Sequence, residues 1–143
     1  MITQEQRDKL REYFSSQPVE VVYLFGSQTN GKANKLSDVD LAVLFKEGLS
    51  QSERFDLRLE YINKAGEILK MPDKTEVIDL KAVKPMLVYN AIFPKQEIFV
   101  RSKKKMIELE MRAVRQYLDM KYYLARINRT QLNLLSQKGF KYE

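Results

Sequence analysis

Cysteine and histidine are both missing from this 143-residue chain, and each absence removes chemistry. Without thiols there is neither a disulfide framework nor a thiolate zinc site. Without imidazole there is no histidine acid or base, no serine triad and no HExxH zinc site. Catalysis in such a chain runs on carboxylates, lysines, hydroxyls and bound metal. Long apolar runs are missing as well. No stretch approaches the length of a membrane span, and residues 1–9 are too polar and charged for a secretory h-region. The chain therefore reads as soluble and cytoplasmic, with no membrane partner. Its length suits one domain over 1–143.

Charge is unevenly placed. Residues 1–100 carry 14 Lys and Arg against 15 Asp and Glu, whereas residues 101–143 carry 11 against 4. The whole excess of +6 therefore belongs to the C-terminal segment. Such a segment attracts nucleic acid or an acidic protein, or is simply a solvated helix face.

Apolar patterning divides the chain into alternating elements. A helix is expected over 3–16, where Thr3 and Gln6 fit a capping box and Leu10, Tyr13 and Phe14 share a face. Strands are expected over 19–25 and 39–45, two apolar runs bounded by turn residues. A second helix starts at Ser50, boxed by Glu53, and ends at Met71-Pro72-Asp73. A short strand over 75–80, a helix opening on Pro85 and a strand over 97–100 follow. From 102 to 137 the pattern is one long helix. There Ile107, Met111, Val114, Leu118, Ala125, Leu132 and Leu135 keep a 4-3 rhythm, broken near Lys121 and Asn128. One side of that stripe is expected to pack on the domain, and any exposed remainder would be a partner surface.

The chemistry concentrates in Gly26-Ser27, a spacer of ten, and Asp38-Val39-Asp40. Residues two apart in a strand share a face, so Asp38 and Asp40 point the same way. Two neighbouring carboxylates repel unless a cation lies between them, and Mg²⁺, a hard ion that prefers oxygen, fits. Gly26 lets backbone approach a phosphate, and the Ser27 hydroxyl and N–H donate to it. Asp79 is the third acid, set in the apolar run Val77-Ile78-Asp79-Leu80, where a charge is costly unless paired or ligating. Should its strand lie beside the Asp38–Asp40 strand with matching faces, three carboxylates converge as metal ligands. That is the layout for two metals that clamp an in-line phosphoryl displacement. Alone, Asp79 could pair with a lysine such as Lys81 or Lys84.

Gly26 to Ala33 also nearly spells a Walker A loop. Ala33 stands where a magnesium-binding hydroxyl is needed, and only four residues separate the loop from Asp38, too few for the supporting helix. Lys32 and Lys35 in this loop read as solvated surface lysines.

Gly26, Ser27, Asp38, Asp40 and Asp79 together resemble the signature of the DNA polymerase β-type nucleotidyltransferase superfamily, and the ten-residue spacer and short chain resemble its minimal nucleotidyltransferase (MNT) antitoxins. The resemblance covers roughly 19–100. It implies an α+β fold, a small mixed sheet flanked by helices, with a catalytic core over 1–100 and a long helical extension over 101–143. It implies transfer of AMP from ATP, with two Mg²⁺ ions, onto a tyrosine hydroxyl of a partner HEPN ribonuclease toxin. Two other readings stay open. One is nucleotide addition to an RNA end or a small molecule, with Tyr117, Tyr122 and Tyr123 stacking bases. The other is an antitoxin that acts by occlusion, without catalysis.

Overall fold

The computed structural model describes residues 2–25, 38–93 and 96–137. Helix α1 (Gln4–Ser15) opens on Thr3, whose hydroxyl accepts from the Gln6 N–H while the Gln6 side chain accepts from the Thr3 N–H. This reciprocal box satisfies two N–H groups that a helix start otherwise leaves orphaned. Helix α2 (Gln51–Leu69) opens the same way on Ser50 and Glu53.

Strands β1 (Val19–Phe25) and β2 (Val39–Phe45) pair antiparallel and form the centre of a four-stranded sheet. Strand β3 (Thr75–Asp79) lies parallel to β2 at one edge. Strand β4 (Gln96–Val100) lies antiparallel to β1 at the other, so the order is β3-β2-β1-β4. Helix α2 makes the crossover that a parallel β2–β3 pair requires.

Both faces of the sheet are covered, which is why β1 and β2 read as nearly continuous apolar runs. On one face α1 and α2 pack Leu10, Phe14, Tyr61 and Ala65 against Leu24, Leu41, Val43 and Phe45. On the other, α3 (Pro85–Ile92) and α4 (Lys103–Gln137) pack Val88, Ile92, Met106, Leu109 and Ala113 against Val21, Tyr23, Ala42 and Leu44. A bulge between Val19 and Val21 shifts the alternation of β1, so Val19 joins the first core and Val21 the second. Among the described residues, no helix is long and apolar enough to cross a membrane.

Helix α4 departs from expectation. Its buried residues are Met106, Leu109 and Ala113, whereas Ile107, Met111, Leu118 and Leu132 of the anticipated stripe are exposed. The helix carries two apolar rows about 120° apart at 100° per residue, and the domain covers the start of the one that holds Met106, Leu109 and Ala113. A hydrogen bond and a ring stack fix it there. The Tyr23 hydroxyl donates to Glu110 at 3.3 Å, and Tyr117 stacks on Tyr89 with ring centroids 3.9 Å apart. Tyr117 is thus committed to packing, while Tyr122 and Tyr123 are exposed.

The two rows should separate in stability measurements. Leu109→Ala is expected to cost about 2–5 kcal/mol, as for other buried leucines. Met111→Ala, two residues away, is expected to stay within about 0.5 kcal/mol. Urea unfolding of both variants checks the assignment.

Candidate active site at the β2–β3 end of the sheet

Asp40 sits second in β2, opposite Phe25 of β1 on one side and Glu76 of β3 on the other. Its side chain shares the face of Ala42 and Leu44, the face covered by α3 and α4. Asp38, two residues earlier, lies just outside the strand and is exposed. Burial, then the Asp38 charge, then the Glu76 charge all raise the Asp40 carboxyl above the usual aspartate range. Asp38, Asp40 and Glu76 thus gather negative charge at one end of the sheet, where β1 ends at Phe25. Gly26 and Ser27 follow Phe25 in sequence and lie outside the described residues, as do Lys32 and Lys35.

Asp79 does not join this group. The parallel register sets Asp79 opposite Val43, three residues past Asp40, and therefore on the opposite face of the sheet. There it meets α2. The Arg54 Nε lies 2.8 Å from an Asp79 carboxylate oxygen, with the two side chains 16% and 8% exposed. The other oxygen accepts from the Lys81 N–H at 2.9 Å. This is the pairing that a buried charge demands, but the partner is an arginine from α2 rather than a metal or the anticipated lysine side chains.

Glu76 is the acid that the sequence reading passed over. Residues 76 and 79 are three apart and must face opposite ways in a strand, so only one could share the face of Asp40. The register selects Glu76. Its carboxylate is engaged by Arg58, whose guanidinium lies 3.0 Å away and also donates to the Val77 carbonyl at 2.6 Å. The pair is open to solvent, with Glu76 52% exposed, so it holds weakly. Among the described residues no three acids already stand together as a metal cage. The donor set nonetheless suits a hard divalent cation. It is all carboxylate oxygen, Asp40 carries unfavourable charge that a cation would relieve, and Glu76 can exchange Arg58 for metal at small cost.

The two acids of β3 should answer differently to substitution. Asp79→Ala leaves Arg54 buried without its partner and is expected to destabilise by about 3–5 kcal/mol. Glu76→Gln disturbs an exposed pair and is expected to cost no more than about 1 kcal/mol. Asp40→Asn should stabilise the metal-free protein at neutral pH. A raised carboxyl pKa favours folding only below the unfolded pKa, and that contribution is lost as pH rises through the folded value. The gain should therefore fade toward pH 4, which thermal unfolding across pH would show.

Comparison with known proteins agrees with this fold. Residues 8–104 match the family described as Polymerase beta, Nucleotidyltransferase. Among curated proteins no sequence matches. Several solved structures share the fold. One is a toxin–antitoxin crystallised with AMP-PNP, at TM-score 0.67 and 18% identity, covering 91% of this chain and 99% of that one. A second is the toxin–antitoxin MntA-HepT, at TM-score 0.66 and 17% identity, covering 91% and 99%. A third is a tri-AMPylated Shewanella oneidensis HEPN toxin in complex with MNT antitoxin, at TM-score 0.64 and 16% identity, covering 92% and 99%. With the family match spanning most of the chain and the four-stranded mixed sheet presenting its acids at one end, this protein belongs to the polymerase beta nucleotidyltransferase family.

Proposed function

We propose that this nucleotidyltransferase is an antitoxin that transfers AMP from ATP onto a tyrosine hydroxyl of a HEPN-type toxin. The observation that carries the reading is the pairing of Asp40 with Glu76 on one face, beside the Asp38 charge, with no counter-charge on Asp40 among the described residues. An acid held so is suited to a cation that arrives with a polyphosphate. The solved complexes add the partner and the nucleotide. The chain shares its fold with a toxin–antitoxin crystallised with AMP-PNP and with an MNT antitoxin bound to a tri-AMPylated HEPN toxin.

In this mechanism the tyrosine oxygen attacks the α-phosphorus of ATP, the bond to pyrophosphate breaks, and the hydroxyl proton passes to the carboxylate cluster. Asp38 and Asp40 would hold Mg²⁺, with Glu76 joining them as it leaves Arg58. Mg²⁺ held by these residues would neutralise the triphosphate and acidify the attacking hydroxyl. Gly26 and Ser27, directly after the strand that ends beside Asp40, would donate to the phosphates. Asp79 takes a different part. Paired with Arg54, it anchors the end of β3 to α2 and so keeps the register that sets Glu76 opposite Asp40.

Asp38→Asn and Asp40→Asn are each expected to lower AMP transfer at least a thousandfold with the fold intact, and Glu76→Gln at least a hundredfold, because acids that hold one ion act as a unit. Intact-mass spectrometry of the co-expressed toxin reads the added AMP. Unchanged labelling in the Asp38→Asn or Asp40→Asn variant would remove the proposal. Full neutralisation by a double variant that transfers nothing would leave an antitoxin acting by occlusion.

A further inference from the structure

Helix α4 runs for 35 residues, about 52 Å at 1.5 Å per residue, and its last buried residue is Ala113. Beyond Tyr117 no described side chain of the helix is buried. The row that faces away from the domain falls at positions 107, 111, 114, 118, 121, 125, 128, 132 and 135, a 4-3 spacing over four heptads. Seven of those nine positions are apolar, and the other two are Lys121 and Asn128. Ile107 is 45% exposed, Met111 60%, Leu118 55% and Leu132 54%. Four heptads of a/d residues on a solvent-facing helix are the pattern of a coiled-coil seam, and single polar residues within such a seam fix register at a cost in stability.

Charge decides what covers the seam. Over the seam from 107 to 135 the helix carries Arg112, Arg115, Lys121, Arg126 and Arg129 against Glu108, Glu110 and Asp119, and beyond 110 only Asp119 is acidic. A second copy would set one basic strip against another over that stretch, with Lys121 inside the contact in each helix. A helix with acidic flanks removes that repulsion and gives Lys121 a counter-charge.

We propose that the outward seam of α4 docks an acidic amphipathic helix of the partner protein. The identity of that partner rests on the antitoxin reading above, whereas the surface and the chemistry it selects rest on the seam itself. The contact is helix against helix, with Leu118 and Leu132 as apolar anchors, Lys121 and Asn128 setting register, and Arg115 and Arg129 pairing with partner carboxylates.

The test uses the full chain with its co-expressed HEPN partner and measures the affinity of the complex by calorimetry. Leu118→Glu with Leu132→Glu, and separately Lys121→Glu, should weaken the complex at least tenfold. Circular dichroism and thermal unfolding should match wild type, since the replaced side chains are exposed. Asp38→Asn should bind at full strength. Wild-type affinity in the seam variants overturns the inference. So does sedimentation of the chain alone as a dimer that Leu118→Glu disperses, because the seam would then belong to a second copy. Failure of the antitoxin reading looks different: a seam-dependent complex without AMP transfer leaves the docking surface standing. AMP transfer with seam variants that bind normally has the reverse meaning.

Discussion

The parallel register between β2 and β3 is the constraint on which the rest of the structure depends. It pairs Asp40 with Glu76 and Val43 with Asp79. A slip of one residue would exchange the faces of every side chain in β3, burying Glu76 and turning Asp79 outward. Nothing local to β3 fixes that register, because the strand is five residues long and arrives after a helical crossover. The fixing contacts come from α2. Arg54 and Arg58, one helical turn apart, reach the strand at successive levels, the first to Asp79 and the second to the Val77 carbonyl and Glu76. One turn of helix thus serves as a gauge for the strand, with its two guanidinium groups marking the permitted alignment.

That division explains which parts of the molecule could be read in advance. Strands β1 and β2 are legible because burial on both faces demands apolar runs. Helices α1 and α2 are legible because Thr3–Gln6 and Ser50–Glu53 are local devices with local consequences. The DxD pair is equally local as a spacing, although Asp38 lies just outside β2 and only Asp40 takes its face from the strand. Asp79 was a different kind of inference. Its apolar surroundings correctly marked it as an acid in need of a partner, but the identity of that partner depends on a contact across 25 residues of sequence. Glu76, flanked by Thr75 and Val77, carries no local mark of its role. Alternation could have supplied one, by showing that residues 76 and 79 cannot both face Asp40.

Helix α4 was legible in extent and misleading in orientation. The 4-3 rhythm is genuine, yet the domain packs against Met106, Leu109 and Ala113, the start of a second apolar row. A compact sheet of four strands can cover only the first three turns or so of a 52 Å helix. Much of the apolar periodicity of the helix is therefore left over for something outside the sheet. Periodicity reports that a face will be covered, without reporting by what. The same point holds for the basic excess of the segment, which has little acidic surface within α4 itself to answer it.

Two aspartates in one sheet show how a buried charge becomes either structure or chemistry. Asp79 is satisfied completely: one oxygen on Arg54, the other on the Lys81 N–H, with almost no solvent. A carboxylate so enclosed is out of reach of a mobile ligand, and its value lies in holding β3 in place. Asp40 is half-buried next to two further negative charges, and its proton affinity rises accordingly. A fold that kept only stability in view would set an arginine there, as it does at Asp79. Among the described residues no arginine or lysine pairs with Asp40, and the folded protein disfavours its charge. A cation held there would relieve that charge, and Glu76 could join it by leaving a weak, exposed arginine. The two aspartates thus differ in whether the described chain provides the counter-charge.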